Sequence, residues 1–188
     1  MKKIVLMFLS VALLAACSSG KQEKTAEVTT KDSVSTNVAS EEAMPPYMSV
    51  VGDSIEIAPF EVELTLSPKA AEKLKKVKET IIVNVEFMGI PKDTVNNEDY
   101  MTLGFAPLPT SRPQIELKSE DRIAKFSGVR ISKKVYDAMA NKDFEININT
   151  FSGRKSSQDN LLDGGFFQYK ASKVMGQPLK LNIKLIEE

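Results

Sequence analysis

From about residue 49 onward, apolar and polar positions alternate along most of the chain. Phe60, Val62, Leu64 and Leu66 share one parity, with Glu61, Glu63 and Thr65 on the other. Ile81, Val83, Val85 and Phe87 repeat the pattern, as do Met101, Leu103 and Phe105, then Ile115 and Leu117, Phe144, Ile146 and Ile148, and finally Leu179, Leu181, Ile183 and Leu185. Successive side chains of a strand point to opposite faces, so this period predicts half-buried antiparallel strands. Adding Ser54–Ala58, a long strand over Arg122–Ile131 and another over Phe166–Val174 brings the expected number to eight or nine. Turn signals separate them: Pro107, Pro109 and Pro113, Ser119-Glu120-Asp121, Gly164-Gly165 and Gly176-Gln177-Pro178. The fold class expected over residues 47–188 is an all-β antiparallel sandwich with two short helical crossovers.

Those crossovers resemble each other. Ser67-Pro68-Lys69-Ala70 puts an N-cap Ser before a Pro at the first helical position, and Ser132-Lys133-Lys134-Val135 repeats the Ser. Around them, Leu64 and Leu66 correspond to Val129 and Ile131, Ile57 and Phe60 to Ile123 and Phe126, and Val83 and Val85 to Ile146 and Ile148. Strand, capped helical turn, strand is written twice. This is either a duplicated binding unit or a sandwich reusing one solution, and because the shared positions are apolar or capping it informs fold and not activity. In architecture alone it resembles the helical crossovers of immunoglobulin-like and transthyretin-like sandwiches, an analogy that assigns no function.

The first residues follow another pattern. Met1-Lys2-Lys3 is basic and Ile4–Ala16 is apolar apart from Ser10, a run whose roughly 20 Å of helix falls short of the roughly 30 Å hydrocarbon core. It reads as a signal peptide over 1–16. Leu14-Ala15-Ala16-Cys17 ends it, with the chain's one cysteine directly after two small residues. This resembles the lipobox of bacterial lipoproteins, which implies acylation of Cys17 (palmitate among the chains) as the new N-terminus. Ser18, where some bacteria place an Asp to retain lipoproteins in the inner membrane, favours the outer membrane by the same analogy. Residues 18–46 contain no aromatic, Leu or Ile and are rich in Ser, Thr, Lys and Glu, too little apolar area to offset chain entropy. Residues 17–46 are therefore expected to be a lipidated Cys with a disordered tether, about 30 Å end to end as a flexible coil.

Composition narrows the chemistry. The 188 residues carry 25 Lys+Arg and 25 Asp+Glu, interspersed, with no His and no Trp. Net neutrality leaves no electrostatic footprint for nucleic acid. Without His there is no Ser-His or Cys-His nucleophile and no HExxH zinc site, and one Cys excludes an internal disulfide or multi-cysteine cluster. Ser152-Gly153-Arg154-Lys155 fits S-x-x-K of penicillin-binding enzymes, but the supporting S-D-N and K-T-G elements are missing. Asp93, Asn96, Asn97, Glu98 and Asp99, and again Asp159, Asn160 and Asp163, offer clustered oxygens without EF-hand spacing. Turn formation accounts for both clusters, and no metal or other cofactor is expected.

A non-enzymatic lipoprotein of the outer membrane follows, bound to the membrane through Cys17 and presenting its sandwich to an envelope protein partner. The alternative is a module for glycan or peptidoglycan fragments. Recognition is expected on the long connections Gly89–Asp99, with Lys92, Asp93 and Asp99, and Ser152–Gly165, with Arg154, Lys155 and Asp159. Phe167 and Tyr169, two residues apart on one face with Phe166 on the other, are the candidate aromatic platform.

Overall fold

The computed structural model describes residues 43–92 and 106–188. In chain order these form β1 (Met48–Val51), β2 (Ser54–Ile57), β3 (Phe60–Leu66), α1 (Pro68–Val77), β4 (Ile81–Gly89), β5 (Ala106–Leu108), β6 (Gln114–Leu117), β7 (Ile123–Phe126), β8 (Val129–Ser132), α2 (Lys133–Ala138), β9 (Glu145–Ser152), β10 (Leu162–Asp163), β11 (Phe167–Lys170), α3 (Ala171–Val174) and β12 (Leu179–Leu185). The described residues form an all-β sandwich built from three sheets. One is ordered β1-β2-β8, the second β10-β12-β3-β7, and the third β11-β9-β4, with both β5 and β6 on the far side of β4. The pairs are antiparallel except β12 with β3, which run parallel with Leu181 beside Leu64.

Buried parity changes twice, and each change is a corner. Ile55 and Ile57 are buried at odd positions, then Phe60, Val62 and Leu64 at even ones. Ala124 and Phe126 are buried at even positions, then Val129 and Ile131 at odd ones. A one-residue slip sends side chains to the opposite face, so a strand that keeps its apolar side on the core must bend there. Both do, and they bend together. Ser54 faces Ser132 and Ile57 faces Val129 in one sheet, while Phe60 faces Phe126 and Glu63 faces Ile123 in the next. The register is unbroken across the corner, with Ala58-Pro59 opposite Ser127-Gly128. Pro59 lacks the N–H that a straight ladder needs, and Gly128 adopts φ 64°. The strand expected over Arg122–Ile131 is thus two strands in two sheets.

The internal repeat governs this pairing. β2, β3, α1 and β4 correspond to β7, β8, α2 and β9, and the halves exchange partners: β2 with β8, β7 with β3, and β4 with β9. That is the pattern of a two-fold axis. Two repeat-related pairs lie on it, since Phe60 faces Phe126 and Val85 faces Ile148. The Phe60 and Phe126 rings stack at 4.9 Å and 5°, and Phe87 of the third sheet meets Phe60 edge-on at 6.2 Å. The core therefore closes at the corner, where three rings join the second and third sheets.

Both crossovers are capped as the sequence predicts. Ser67 Oγ accepts from Ala70 N at 3.1 Å and Ser132 Oγ from Val135 N at 3.3 Å. A third helix replaces the end of the strand expected over Phe166–Val174. Asp143 accepts from Ser172 N at 3.0 Å and Ser172 Oγ at 2.7 Å, and Ala171 N bonds Phe144 O at 2.8 Å, which turns the chain after Lys170. Asp143 also accepts from Tyr47 Oη at 3.2 Å, and burial together with that carboxylate pushes the Tyr47 hydroxyl's pKa up. The alternation of Met101, Leu103 and Phe105 lies outside the described residues.

Gly128→Ala tests the corner. Nothing lies within 4 Å of a Cβ at this position, so its cost is the left-handed backbone alone. Urea titration is expected to show a loss of about 1 kcal/mol at unchanged m. An unaltered midpoint would mean that the corner does not depend on this conformation.

Candidate functional site

Of the two predicted recognition segments, Ser152–Gly165 is fully described, and it is bound down on both sides. Glu79, just beyond the C-terminal end of α1, is 1% exposed. Its Oε1 accepts from Thr80 N at 3.0 Å and Lys155 N at 2.9 Å, and its Oε2 from Ser156 N at 2.8 Å and Ser156 Oγ at 2.6 Å. Burial alone would raise this carboxyl's pKa. The Ser156 hydroxyl and the three N–H donors outweigh it and bring the pKa from 4.5 to about 2. Gly153 N donates to Thr80 O at 2.9 Å, and a Cβ on Gly153 would lie 1.9 Å from Thr80 Oγ1, so only glycine permits this approach. Asn160 staples the other end, Oδ1 accepting from Ser152 N and Leu162 N while Nδ2 donates to Leu162 O.

These and neighbouring bonds engage several of the residues singled out in the sequence. Ser152 is buried, its Oγ engaged with Asn160 and Leu161 N, while Lys155 Nζ pairs with Glu116 at 3.0 Å, so the S-x-x-K side chains are each committed elsewhere. Asn160 Oδ1 is spent on backbone N–H groups, Asp163 Oδ1 accepts from Gly165 N and Asp163 Oδ2 faces Lys184 Nζ at 3.5 Å. Asp159 N closes a turn on Ser157 Oγ. Arg154 is exposed, at φ 57°. Lys92 is exposed and its N–H donates to Ala138 O at 2.9 Å. Asp93 and Asp99, like Cys17, lie outside the described residues. The structure shows no contact between Lys92 and the Arg154–Asp159 group among the described residues, and Glu79, which orders that group, gave no signal in sequence because three of its four donors lie 76 and 77 positions away.

The aromatic candidates are brought together. Phe167 faces Ile148 and Tyr169 faces Ile146 across β9, so both share the inner face, with ring centroids 4.9 Å apart at 68°. Phe167 packs on the core, while Tyr169 is 53% and Phe166 83% exposed. β11 ends its sheet, so its outward N–H and C=O groups have no strand beside them among the described residues.

The outer face of the same sheet is lined with amides that the sequence reading did not single out. Register places Gln114, Asn84 and Asn149 in one row across β6, β4 and β9, and Glu86, Asn147 and Gln168 in the next across β4, β9 and β11. An open cleft of 550 Å³ beside α1 is lined by mixed charges, and the Arg122 guanidinium at its wall is bonded to the carbonyls of Ser119 and Asp121 at 2.7 and 2.8 Å.

No protein-family model matches the chain, and no curated protein and no solved structure matches it either. No helix among the described residues is long and apolar enough to cross a membrane.

The pH dependence of Glu79 is the site's direct check. Its depressed pKa contributes stability that is complete above pH 4.5 and is lost as pH falls toward 2. The shift corresponds to about 3 kcal/mol. Glu79→Gln replaces two acceptor positions with donors, so at pH 7 it is expected to lose about 2 to 3 kcal/mol, the gap to wild type closing between pH 4.5 and 2. A gap independent of pH would show that the carboxylate charge is not what holds the loop.

Proposed function

We propose that the chain is a lipoprotein of the bacterial outer membrane, anchored through acylated Cys17, whose non-enzymatic sandwich binds a protein partner of the envelope along the β11 edge. One observation carries the choice of surface: the edge strand β11 has no strand beside it among the described residues, with Phe166 just before it and Tyr169 within it 83% and 53% exposed. The backbone groups of such an edge accept an added strand, and large rings beside them supply the buried contacts that dominate interface energies. The second reading, a module for glycan or peptidoglycan fragments, is favoured by the amide rows of the outer face.

Two experiments test the first reading. Cys17→Ala is expected to leave an unprocessed precursor or to release the protein from membrane fractions, because the thiol is the acylation site of the motif. Membrane retention of mature-sized mutant protein would defeat the anchor. A photo-crosslinking residue at position 166 is expected to give an adduct of one defined mass in intact cells, which a control at Lys180 does not give. Phe166→Lys with Tyr169→Lys should lower capture about tenfold or more when the crosslinker is moved to Gln168. Equal adducts at both positions, or capture indifferent to the double variant, would remove β11 as the docking edge.

A further inference from the structure

We propose that the outer face of the five-stranded sheet is a binding site for a neutral oligosaccharide, the two amide rows supplying the hydrogen bonds and Phe166 a stacking surface. This rests on the second of the two functional readings and gives it a place and a ligand class.

The register defines the geometry. Gln114 faces Asn84, Asn84 faces Asn149, and one step along the same face Glu86 faces Asn147, which faces Gln168. Adjacent strands lie about 4.8 Å apart and same-face neighbours on one strand about 7 Å, so the six side chains form a grid on the scale of successive pyranose rings. Asn149 and Gln114 are exposed and Asn84, Asn147 and Gln168 partly so. Asn147 Nδ2 donates to Glu86 Oε2 at 3.5 Å, whereas Asn84, Asn149, Gln114 and Gln168 make no side-chain hydrogen bond with another described residue. Outward alternate positions of a solvated sheet are ordinarily charged or Thr-rich, and β3 of this chain, with Glu61, Glu63 and Thr65, is of that kind. A grid in which four of five amides are uncommitted is different. Each amide presents a donor and an acceptor side by side, as a vicinal diol does, and no net charge.

Charge points the same way. Glu116 is paired with Lys155 at 3.0 Å and Glu145 with Lys170 at 3.3 Å, both at the margins, which leaves Glu86 as the grid's single uncompensated carboxylate, an acceptor for sugar hydroxyls. A polyanion finds no cationic row there, and a nonpolar ligand would strand every amide without a partner. Phe166 precedes β11 on the parity of Gln168, and the register continued by one residue sets it beside Asn149; it is 83% exposed, which suits it to the C–H face of a sugar ring at the end of the first row.

Calorimetry on the full-length lipidated protein in detergent, with neutral hexasaccharides (β-glucan, α-glucan, mannan and N-acetylglucosamine oligomers) and a polygalacturonate fragment as the charged control, tests this. At least one neutral oligomer is expected to bind in the micromolar to millimolar range, its trisaccharide more weakly, and polygalacturonate not at all. Asn84→Ala with Asn149→Ala should weaken binding about tenfold or more, and Phe166→Ala by a similar factor. Gln168→Ala at the sheet edge gives an independent variant if the double substitution unfolds. No heat from any neutral oligomer at millimolar concentration, or binding that survives all these substitutions in folded protein, overturns the proposal. A protein adduct at position 166 whose yield neutral sugars leave unchanged, with no calorimetric binding, assigns the surface to the protein partner and overturns it too.

Discussion

The stacked Phe60–Phe126 pair is the contact on which the rest of this sandwich depends. The two strands that carry these rings are each too long for one sheet, and each changes its buried parity at the corner. A bent strand leaves backbone groups unpaired unless its neighbour bends at the same place, and unpaired buried groups are costly. Facing Ala58-Pro59 with Ser127-Gly128 resolves this, because the break in one strand falls opposite the break in the other. The rings fill the inside of the bend, and Phe87 reaches them from the third sheet. Pairing, corner and core closure are thus one constraint, and the approximate two-fold of the chain is its consequence: whichever half supplies β2 and β3 must receive β8 and β7 from the other.

Much of this was legible in the sequence, though not all at the same level. Period-two alternation found the strands because burial on one face is written directly into residue type. It missed the corners because the sum of apolar residues over Arg122–Ile131 reads as one strand, yet the signal was present in the phase: Ala124 and Phe126 are even, Val129 and Ile131 odd, with a glycine between them. The earlier corner shows the same slip across Pro59. The capping serines were readable because their partners lie three residues on. What sequence could not supply was the set of contacts made across long separations. Asp143 turns the chain 29 residues later, and Glu79 collects donors from a segment more than seventy residues away, so neither carboxylate stands out where it is written.

Glu79 also changes what the long connection after β9 can be. Length and polar content suggested a free loop, but a buried carboxylate with four donors converts part of it into scaffold. The same charge makes this a high-stakes contact, since a buried carboxylate that lost its donors would cost several kcal/mol. Side chains without partners of their own are found on the five-stranded sheet, where Asn84, Asn149, Gln114 and Gln168 make no side-chain hydrogen bond with another described residue and Phe166 and Tyr169 are exposed. Residue type alone could not have made the distinction, because Asn160 and Asn149 read alike in sequence while only Asn160 is spent on backbone.

The sheet edges themselves sharpen the contrast. Exposed edges invite unwanted pairing, and proteins blunt them with proline, charge or brevity. Here β5 carries Pro107 facing outward, β10 is two residues long, and β7 presents Lys125 in an ion pair with Glu61 at 3.1 Å. β1 exposes Val50 and Val51 but no ring. β11 alone among these edges sets two large exposed aromatics beside unpaired backbone, and its only charge, Lys170, is turned to Glu145. A fold that blunts β5, β10 and β7 by ordinary means and leaves large exposed rings at β11 retains a liability that stability does not require. The same strand also closes the second amide row through Gln168, so edge and face converge at one end of one sheet. Tyr169 meets the core-packed Phe167 edge-on at 4.9 Å, while Phe166, 83% exposed, makes no ring contact with another described residue, so its burial would need a surface outside the core.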